Sequence, residues 1–330
     1  MTTGAYVRLG RLATRVSRLW LGTVNFSGRV EDDDALWLMD EALDRGINCV
    51  DTADIYGWRV HKGHTEELVG RWLAKSGRRD DVVLATKVGG EMSERVNDGG
   101  LSARHIVTAC EQSLRRLGVE CIDLYQMHRI DRAAPWDEVW QAMENLVASG
   151  KVCYVGSSNF AGWHISEAQA SAHRRNTLGL ASEQLLYNLA VRHAELEVLP
   201  AARHHGLATL AWSPLHGGLL SGVLGKLAAG TAVKSAQGRA QVLLPALRPA
   251  IEEYEAFCAR IGHPPAEVGL SWVLSRPGIT GAVIGPRTVE HLDSALRATE
   301  LRLDDEQLAE LDRIFPPVGR GGPGPEAWAD

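Results

Sequence analysis

From Trp20 onward, short runs of β-branched and apolar residues alternate with longer stretches in which apolar residues recur every three to four positions. The first pattern is that of a buried strand and the second that of an amphipathic helix, so their alternation predicts βαβ units and a parallel sheet. Strands are expected near Leu19–Thr23, Ile47–Asp51, Val82–Lys87, Cys121–His128, Val152–Ser157, Leu180–Gln184, Thr209–Ser213 and Gly281–Gly285. Helices are expected over Asp33–Arg45, Glu66–Lys75, Ser102–Leu117, Trp136–Ala148, Ala161–Arg174, Leu196–His205, Ile251–Ile261 and Thr288–Ala298. In the first of these, Leu36, Met39, Ala42 and Leu43 share a face, Asp33, Asp34 and Asp40 point elsewhere, and Gly46 ends the helix. Repeated units with no shift in composition predict one α/β domain over 1–330, a closed (β/α)8 TIM barrel, because closure removes both exposed sheet edges. Residues 1–18 are expected to form a hairpin capping the barrel floor. A long polar and glycine-rich connection, 216–245, follows the seventh strand and is expected at the active-site face. Added helices are expected over Ala266–Ser275 and Asp304–Ile314, with a tail at 316–330.

Composition narrows the partners. The 330 residues are 45% hydrophobic and 23% charged, with a net charge of −6, so the chain can bury a large core and lacks the basic footprint of a nucleic-acid binder. Five cysteines, Cys49, Cys110, Cys121, Cys153 and Cys258, form no CxxC pair, which fits a reducing cytoplasm. Arginines 8, 11, 15 and 18 interrupt the N-terminal stretch, and Pro214 with several glycines interrupts the longest uncharged one, so neither a signal peptide nor a membrane span is expected. No metal site is expected either: His61 and His64 lie in a glycine- and lysine-containing loop without a cysteine and read as surface histidines.

Polar residues at the ends of consecutive strands are where barrel chemistry is expected. Here those ends carry Asp51 and, five residues on, Tyr56, then Lys87, then His128. Singly, each has a plain structural reading: a strand cap, a rim aromatic, a solvated charge, a core histidine. Together they place a carboxylate, a phenol, an ammonium and an imidazole around one cavity, a set suited to reducing a carbonyl. The oxygen that becomes an alkoxide needs a proton; Lys87 is expected to lower the phenol pKa of Tyr56, Asp51 to hold Lys87, and His128 to hydrogen-bond the carbonyl oxygen.

The segments Cys49-Val-Asp-Thr-Ala-Asp-Ile-Tyr-Gly57, Leu84-Ala-Thr-Lys87, Ile122-Asp-Leu-Tyr-Gln-Met-His128, Val155-Gly-Ser-Ser-Asn-Phe160 and Ala211-Trp-Ser-Pro-Leu215 resemble, in order, the landmarks of the aldo-keto reductase family. The resemblance runs over nearly the whole chain and implies an NADPH-dependent reductase whose catalytic tetrad is Asp51, Tyr56, Lys87 and His128, with Tyr56 the proton donor. It implies further that Ser158, Asn159 and Gln184 bind the nicotinamide carboxamide and that Trp212 stacks on the ring. Gly22, Thr23 and Asp51 belong to the implied cofactor site. So do Ser213, Pro214, Leu215, Gly217, Gly218 and Ser221, a glycine-rich turn suited to a pyrophosphate, and Gly285, Arg287 and His291 near the adenosine phosphate. Arg287 is expected to favour NADPH over NADH through a 2′-phosphate. The sequence departs from the family where many relatives carry Gln and then Glu-Asn: His291, Ser294 and Ala295 stand there instead.

The substrate side is expected to involve Tyr56, Trp58, His128 and Arg129. The closing residues resemble bacterial members that act on sugars, among them nucleotide-hexose 2,3-reductases of deoxysugar biosynthesis, in which Arg59, Lys62 and Arg129 would meet a diphosphate. A broad-specificity aldehyde or ketone reductase is the alternative. A different class, an NADPH-binding redox-sensing subunit of a potassium channel or other partner, is also implied by the long-chain branch. The expected partners are therefore a small-molecule carbonyl or nucleotide sugar, with a homo-oligomer left open.

Overall fold

The computed structural model describes residues 6–231 and 239–319. A hairpin, β1 (Tyr6–Arg8) paired antiparallel with β2 (Arg15–Ser17), precedes eight parallel strands. These are β3 (Leu19–Gly22), β4 (Cys49–Asp51), β5 (Val83–Val88), β6 (Ile122–Met127), β7 (Val152–Ser158), β8 (Leu180–Leu186), β9 (Ala208–Trp212) and β10 (Gly281–Ile284). They close into a barrel in chain order, with β10 pairing both β9 and β3. The expected (β/α)8 architecture is therefore what the chain adopts.

Six helices cross between successive strands: α1 (Asp32–Asp44), α2 (His64–Ser76), α3 (Ala103–Leu117), α4 (Trp136–Ala148), α5 (Gly162–Arg174) and α6 (Val198–His204). Between β9 and β10 come α7 (Val223–Ala228), α8 (Arg239–Arg260) and α9 (Pro265–Ser275), and α10 (Val289–Glu300) and α11 (Asp305–Ile314) follow β10. The helical layer and the outward strand faces form one core, in which α1, for example, buries Ala35, Leu38, Met39, Ala42 and Leu43. A separate cluster fills the floor, where Leu9, Leu12 and Val16 of the hairpin meet Trp20, Cys49, Ala85, Leu124 and Leu210. The hairpin is stitched there by Arg11, whose backbone N–H donates to the Gly206 carbonyl at 2.8 Å and whose guanidinium reaches the Leu178 and His205 carbonyls. With the floor plugged, the C-terminal strand ends are the open face.

The 216–245 connection differs from the expected irregular loop. It contains α7, and α8 begins at Arg239, upstream of Pro245 and Pro249, both of which the helix carries within it. Leu219, Val223 and Ile251 form a small core with Leu224, Leu243, Leu244 and Leu247, and this apolar face outweighs the backbone hydrogen bonds that Pro245 and Pro249 remove, so the helix starts well before the expected Ile251. Residues 232–238 of the connection and 320–330 of the tail lie outside the described residues. Among the described residues, no helix is long and apolar enough to cross a membrane.

Candidate active site

Strand register places the inward side chains of adjacent strands in one layer near the open end. Lys87 pairs with Gln126 across β5 and β6, and Ser158 with Gln184 across β7 and β8. Asp51, at the end of β4, lies among them and is almost fully buried. Its Oδ2 accepts a hydrogen bond from Lys87 Nζ at 2.5 Å, and its Oδ1 accepts from Gln126 Nε2 at 3.0 Å and Gln184 Nε2 at 2.9 Å. Lys87 also donates to the Thr52 carbonyl at 2.9 Å. A buried ion pair of this kind survives because every partner is satisfied. Burial pulls the Lys87 pKa down, but Asp51 and Tyr56 outweigh it and the net direction is upward, so the lysine stays an ammonium.

Tyr56 follows β4 in a turn whose carbonyl accepts from the Gly63 N–H at 3.1 Å. The Lys87 ammonium lies 5.3 Å from its ring centroid, and His128 meets the ring edge-on at 5.8 Å. The sequence-based expectation about its acidity is corrected in sign. Burial raises the phenol pKa more than Lys87 lowers it, so the net shift is above the usual tyrosine value. The proton therefore resides on Tyr56 at neutral pH, as a proton donor requires, while Lys87 exerts its full attraction only as negative charge forms on the phenol oxygen. His128 moves the other way: burial first, then Lys87 and Arg129, depress its pKa to about 3, and it is a neutral imidazole at physiological pH.

Beside this cluster Asn159 sits at φ 61°, with its side-chain NH2 donating to the His128 carbonyl at 3.1 Å and to Ser158 Oγ at 2.9 Å, and its carbonyl accepting from the Trp212 indole at 2.9 Å. Ser213 and Ser27 also adopt positive φ, 54° and 57°. Such backbone strain in non-glycine residues concentrates where a site demands it. One cavity of about 680 Å³ joins these groups. Every cofactor residue expected from the sequence lines it: Gly22, Thr23, Asp51, Ser158, Asn159, Gln184, Trp212, Ser213, Pro214, Leu215, Gly217, Gly218, Ser221, Gly285, Arg287 and His291. Gly22 has no room for more than hydrogen there, since a Cβ would come within 2.6 Å of the Val283 side chain. At the far end Arg29, Lys226, Arg287 and His291 converge; the first two were missed from sequence. Burial and then mutual repulsion lower the pKa of Arg287, through Arg29, of Lys226, through Arg287, and of His291, through Arg287 and Lys226. Ser294 lies at the same end but gives its hydroxyl to Glu267 at 3.1 Å.

Some expected placements change. Arg129 does not line the main cavity but an adjoining one of about 550 Å³, with Arg95 and Arg132. Arg59 lines the main cavity while donating to the Gly28 carbonyl at 3.2 Å, whereas Lys62 is absent from that lining and donates to the Glu91 carbonyl. Trp58 stands at the mouth of the main cavity, 6.2 Å from Tyr56 ring to ring. Gln184 lines the main cavity as expected, and its Nε2 also donates to Asp51. Gln126 was overlooked, although it stands two residues before His128 on β6 and thus shares the inward face of that strand with Leu124.

A buried carboxyl behind the site provides a pH test. Glu183 accepts hydrogen bonds from Ser157 and the Phe160 N–H, yet burial raises its pKa to about 8. Because the folded pKa lies above the unfolded one, stability is fully present below about pH 4.3 and is lost as pH rises toward 8. The loss should be on the order of 1 kcal/mol per pH unit in that window. Denaturant melts of wild type and Glu183→Gln from pH 5 to about 9 should show this slope in the former and not the latter; equal slopes would rule Glu183 out as its source.

The whole barrel, not only these residues, matches a known pattern: the sequence profile of the Aldo/keto reductase family covers residues 18–315. The chain belongs to this family. It is thus an oxidoreductase of a family that generally uses NAD(P)H. It is 51% identical to "Uncharacterized oxidoreductase YrpG" of Bacillus subtilis, over 98% of this chain and 99% of that protein. It is 29% identical to "Versiconal hemiacetal acetate reductase" of Aspergillus parasiticus, over 94% of this chain and 97% of that one. A "Probable voltage-gated potassium channel subunit beta" of Arabidopsis thaliana is 29% identical over 90% of this chain and 91% of its own.

Proposed function

We propose that the chain acts as one catalytic unit, an NADPH-dependent carbonyl reductase in which Tyr56 donates the proton. The observation that supports it most is a protonated, half-buried phenol against a buried lysine–aspartate pair, at one end of a cavity whose other end gathers Arg29, Lys226, Arg287 and His291. Like charges that depress one another call for an anion among them, and a phosphorylated adenosine offers one. A reduced nicotinamide supplies the hydride. The residues do the rest. Trp212, held by Asn159, offers a flat apolar face, and the strained Asn159 and Ser213 fix the polar groups around it. Being neutral, His128 contributes a hydrogen bond to the carbonyl oxygen and not a proton. Tyr56 delivers its proton to the oxygen as charge builds there, and Lys87 stabilises the phenolate left behind.

Arg287→Ala should weaken NADPH binding by roughly 10- to 100-fold, the usual worth of a charged hydrogen bond, with NADH little affected. Fluorescence titration with both nucleotides measures this, and parallel losses would remove the 2′-phosphate assignment.

For the substrate we propose the keto group of a nucleotide-linked deoxyhexose. The adjoining cavity sets Arg95, Arg129 and Arg132 beside Glu91, Glu94, Asp98 and Asp131; Arg95 lies 3.9 Å from Asp98, and Asp131 accepts from the N–H groups of Leu101 and Ala133, so Arg129 and Arg132 are the cations that support an anionic group there. Comparable turnover of simple aldehydes and ketones would favour a broad reductase. The channel-subunit relatives motivate a second reading, a cofactor-binding sensor, which tight NADPH binding without carbonyl-dependent turnover would favour.

A further inference from the structure

Outside this cavity, three potential metal-ligating side chains converge where the loop after Tyr56 enters α2. His61, His64 and Glu67 present one ligand atom each within 4.8 Å of one another, the one such cluster among the described residues. The fold brings them together in two ways. Glu67 stands three residues after His64 on the first turn of α2 and so shares its face. The loop then folds back, with the Val60 and His61 N–H groups donating to the Gly57 carbonyl at 2.8 and 3.0 Å, which lays the His61 ring 5.1 Å from that of His64.

Hydrogen bonding fixes what each imidazole offers. His61 Nδ1 lies 3.1 Å from the Lys62 carbonyl, which only accepts, so Nδ1 bears hydrogen. His64 Nε2 lies 3.1 Å from Asp32 Oδ2, again an acceptor, so Nε2 bears hydrogen. In the neutral rings the remaining nitrogens, His61 Nε2 and His64 Nδ1, present lone pairs toward Glu67 Oε2, at 3.3 and 4.0 Å. Three electron-rich atoms so placed repel one another unless a cation lies between them. A tetrahedral ion with bonds of about 2.0–2.2 Å needs donor edges of roughly 3.3–3.6 Å; the His61–Glu67 edge meets this at 3.3 Å, and the His64–Glu67 edge, at 4.0 Å, closes on binding by a small side-chain rotation. The outer partners also match those of metal-bound histidines, which typically give their second N–H to a carboxylate or a backbone carbonyl.

We infer that His61, His64 and Glu67 bind a divalent transition metal of the zinc class, with Asp32 orienting His64. Two imidazoles and one carboxylate select zinc, cobalt or nickel over magnesium or calcium. The N-terminal dipole of α2 and Arg71, 2.6 Å from Asp32, oppose a cation, and the carboxylates of Asp32 and Glu67 offset them. The site is independent of the proposed reductase chemistry, but it would clamp the loop that holds Trp58 and Arg59 at the cavity mouth.

The test uses the full-length protein stripped of metal and titrated with zinc against a chromophoric chelator, with cobalt as a spectroscopic probe of geometry. Wild type should bind one equivalent with tetrahedral cobalt bands. His61→Ala and Glu67→Gln, both exposed enough to leave the fold intact, should each weaken binding at least about tenfold. Zinc should also slow tryptic cleavage after Arg59 and Lys62 in wild type only. Absence of saturable binding, or equal affinity in wild type and His61→Ala, would overturn the assignment and leave a proton as the cation the cluster holds.

Discussion

Replacing Tyr56 by phenylalanine should lower carbonyl reduction by roughly 10²- to 10⁴-fold, the usual contribution of a positioned proton donor, while leaving NADPH affinity within a few-fold of wild type. The substitution keeps the ring that meets Trp58 and His128 and removes only the hydroxyl. No other group can replace it in this cluster. His128, with its pKa pushed down to about 3, has no proton to spare at neutral pH, and Lys87 is held charged by Asp51. Steady-state kinetics and cofactor titration on the same preparation separate the two effects. Turnover within tenfold of wild type would mean that the proton comes from elsewhere.

Lys87→Met should be the most damaging substitution for both activity and stability. It leaves the almost fully buried Asp51 carboxylate with only the Gln126 and Gln184 amides as side-chain partners, at a cost of about 3–5 kcal/mol. It also removes the cation whose charge lowers the Tyr56 pKa, so proton donation becomes harder. Pairing it with Asp51→Asn, which neutralises the stranded charge, should recover much of the stability and none of the activity. Urea denaturation of the two variants decides this: a loss under about 1 kcal/mol in Lys87→Met would show that Asp51 does not depend on its partner.

Much of this site is legible in the sequence because barrel geometry converts strand position into spatial position. Asp51, Lys87 and His128 end consecutive strands, so convergence on one rim follows from the fold alone. Gln126 was legible by the same parity. Arg29 and Lys226 were not, since one stands in the turn after β3 and the other on α7, and nothing local says that they face Arg287. The helix was expected only from Ile251, and its extension back to Arg239 was not legible because the packing of the leucines at 243, 244 and 247 with Ile251 is a tertiary effect. The acidity of Tyr56 was misjudged because a sequence shows neighbours but not burial. Likewise His61 and His64 could be paired on paper, whereas the turn that aims His61 at Glu67 depends on hydrogen bonds to the Gly57 and Lys62 carbonyls.

The central claim, that this site transfers hydride to a carbonyl rather than only holding a nucleotide, is tested most directly with NADPH deuterated at the reactive carbon. The substrates would be a nucleotide-linked keto-deoxyhexose and a panel of reactive aldehydes and dicarbonyls. The account predicts carbonyl-dependent NADPH oxidation with one deuterium at the new carbinol carbon of the product. Tight NADPH binding with no deuterated alcohol from any member of the panel would contradict it.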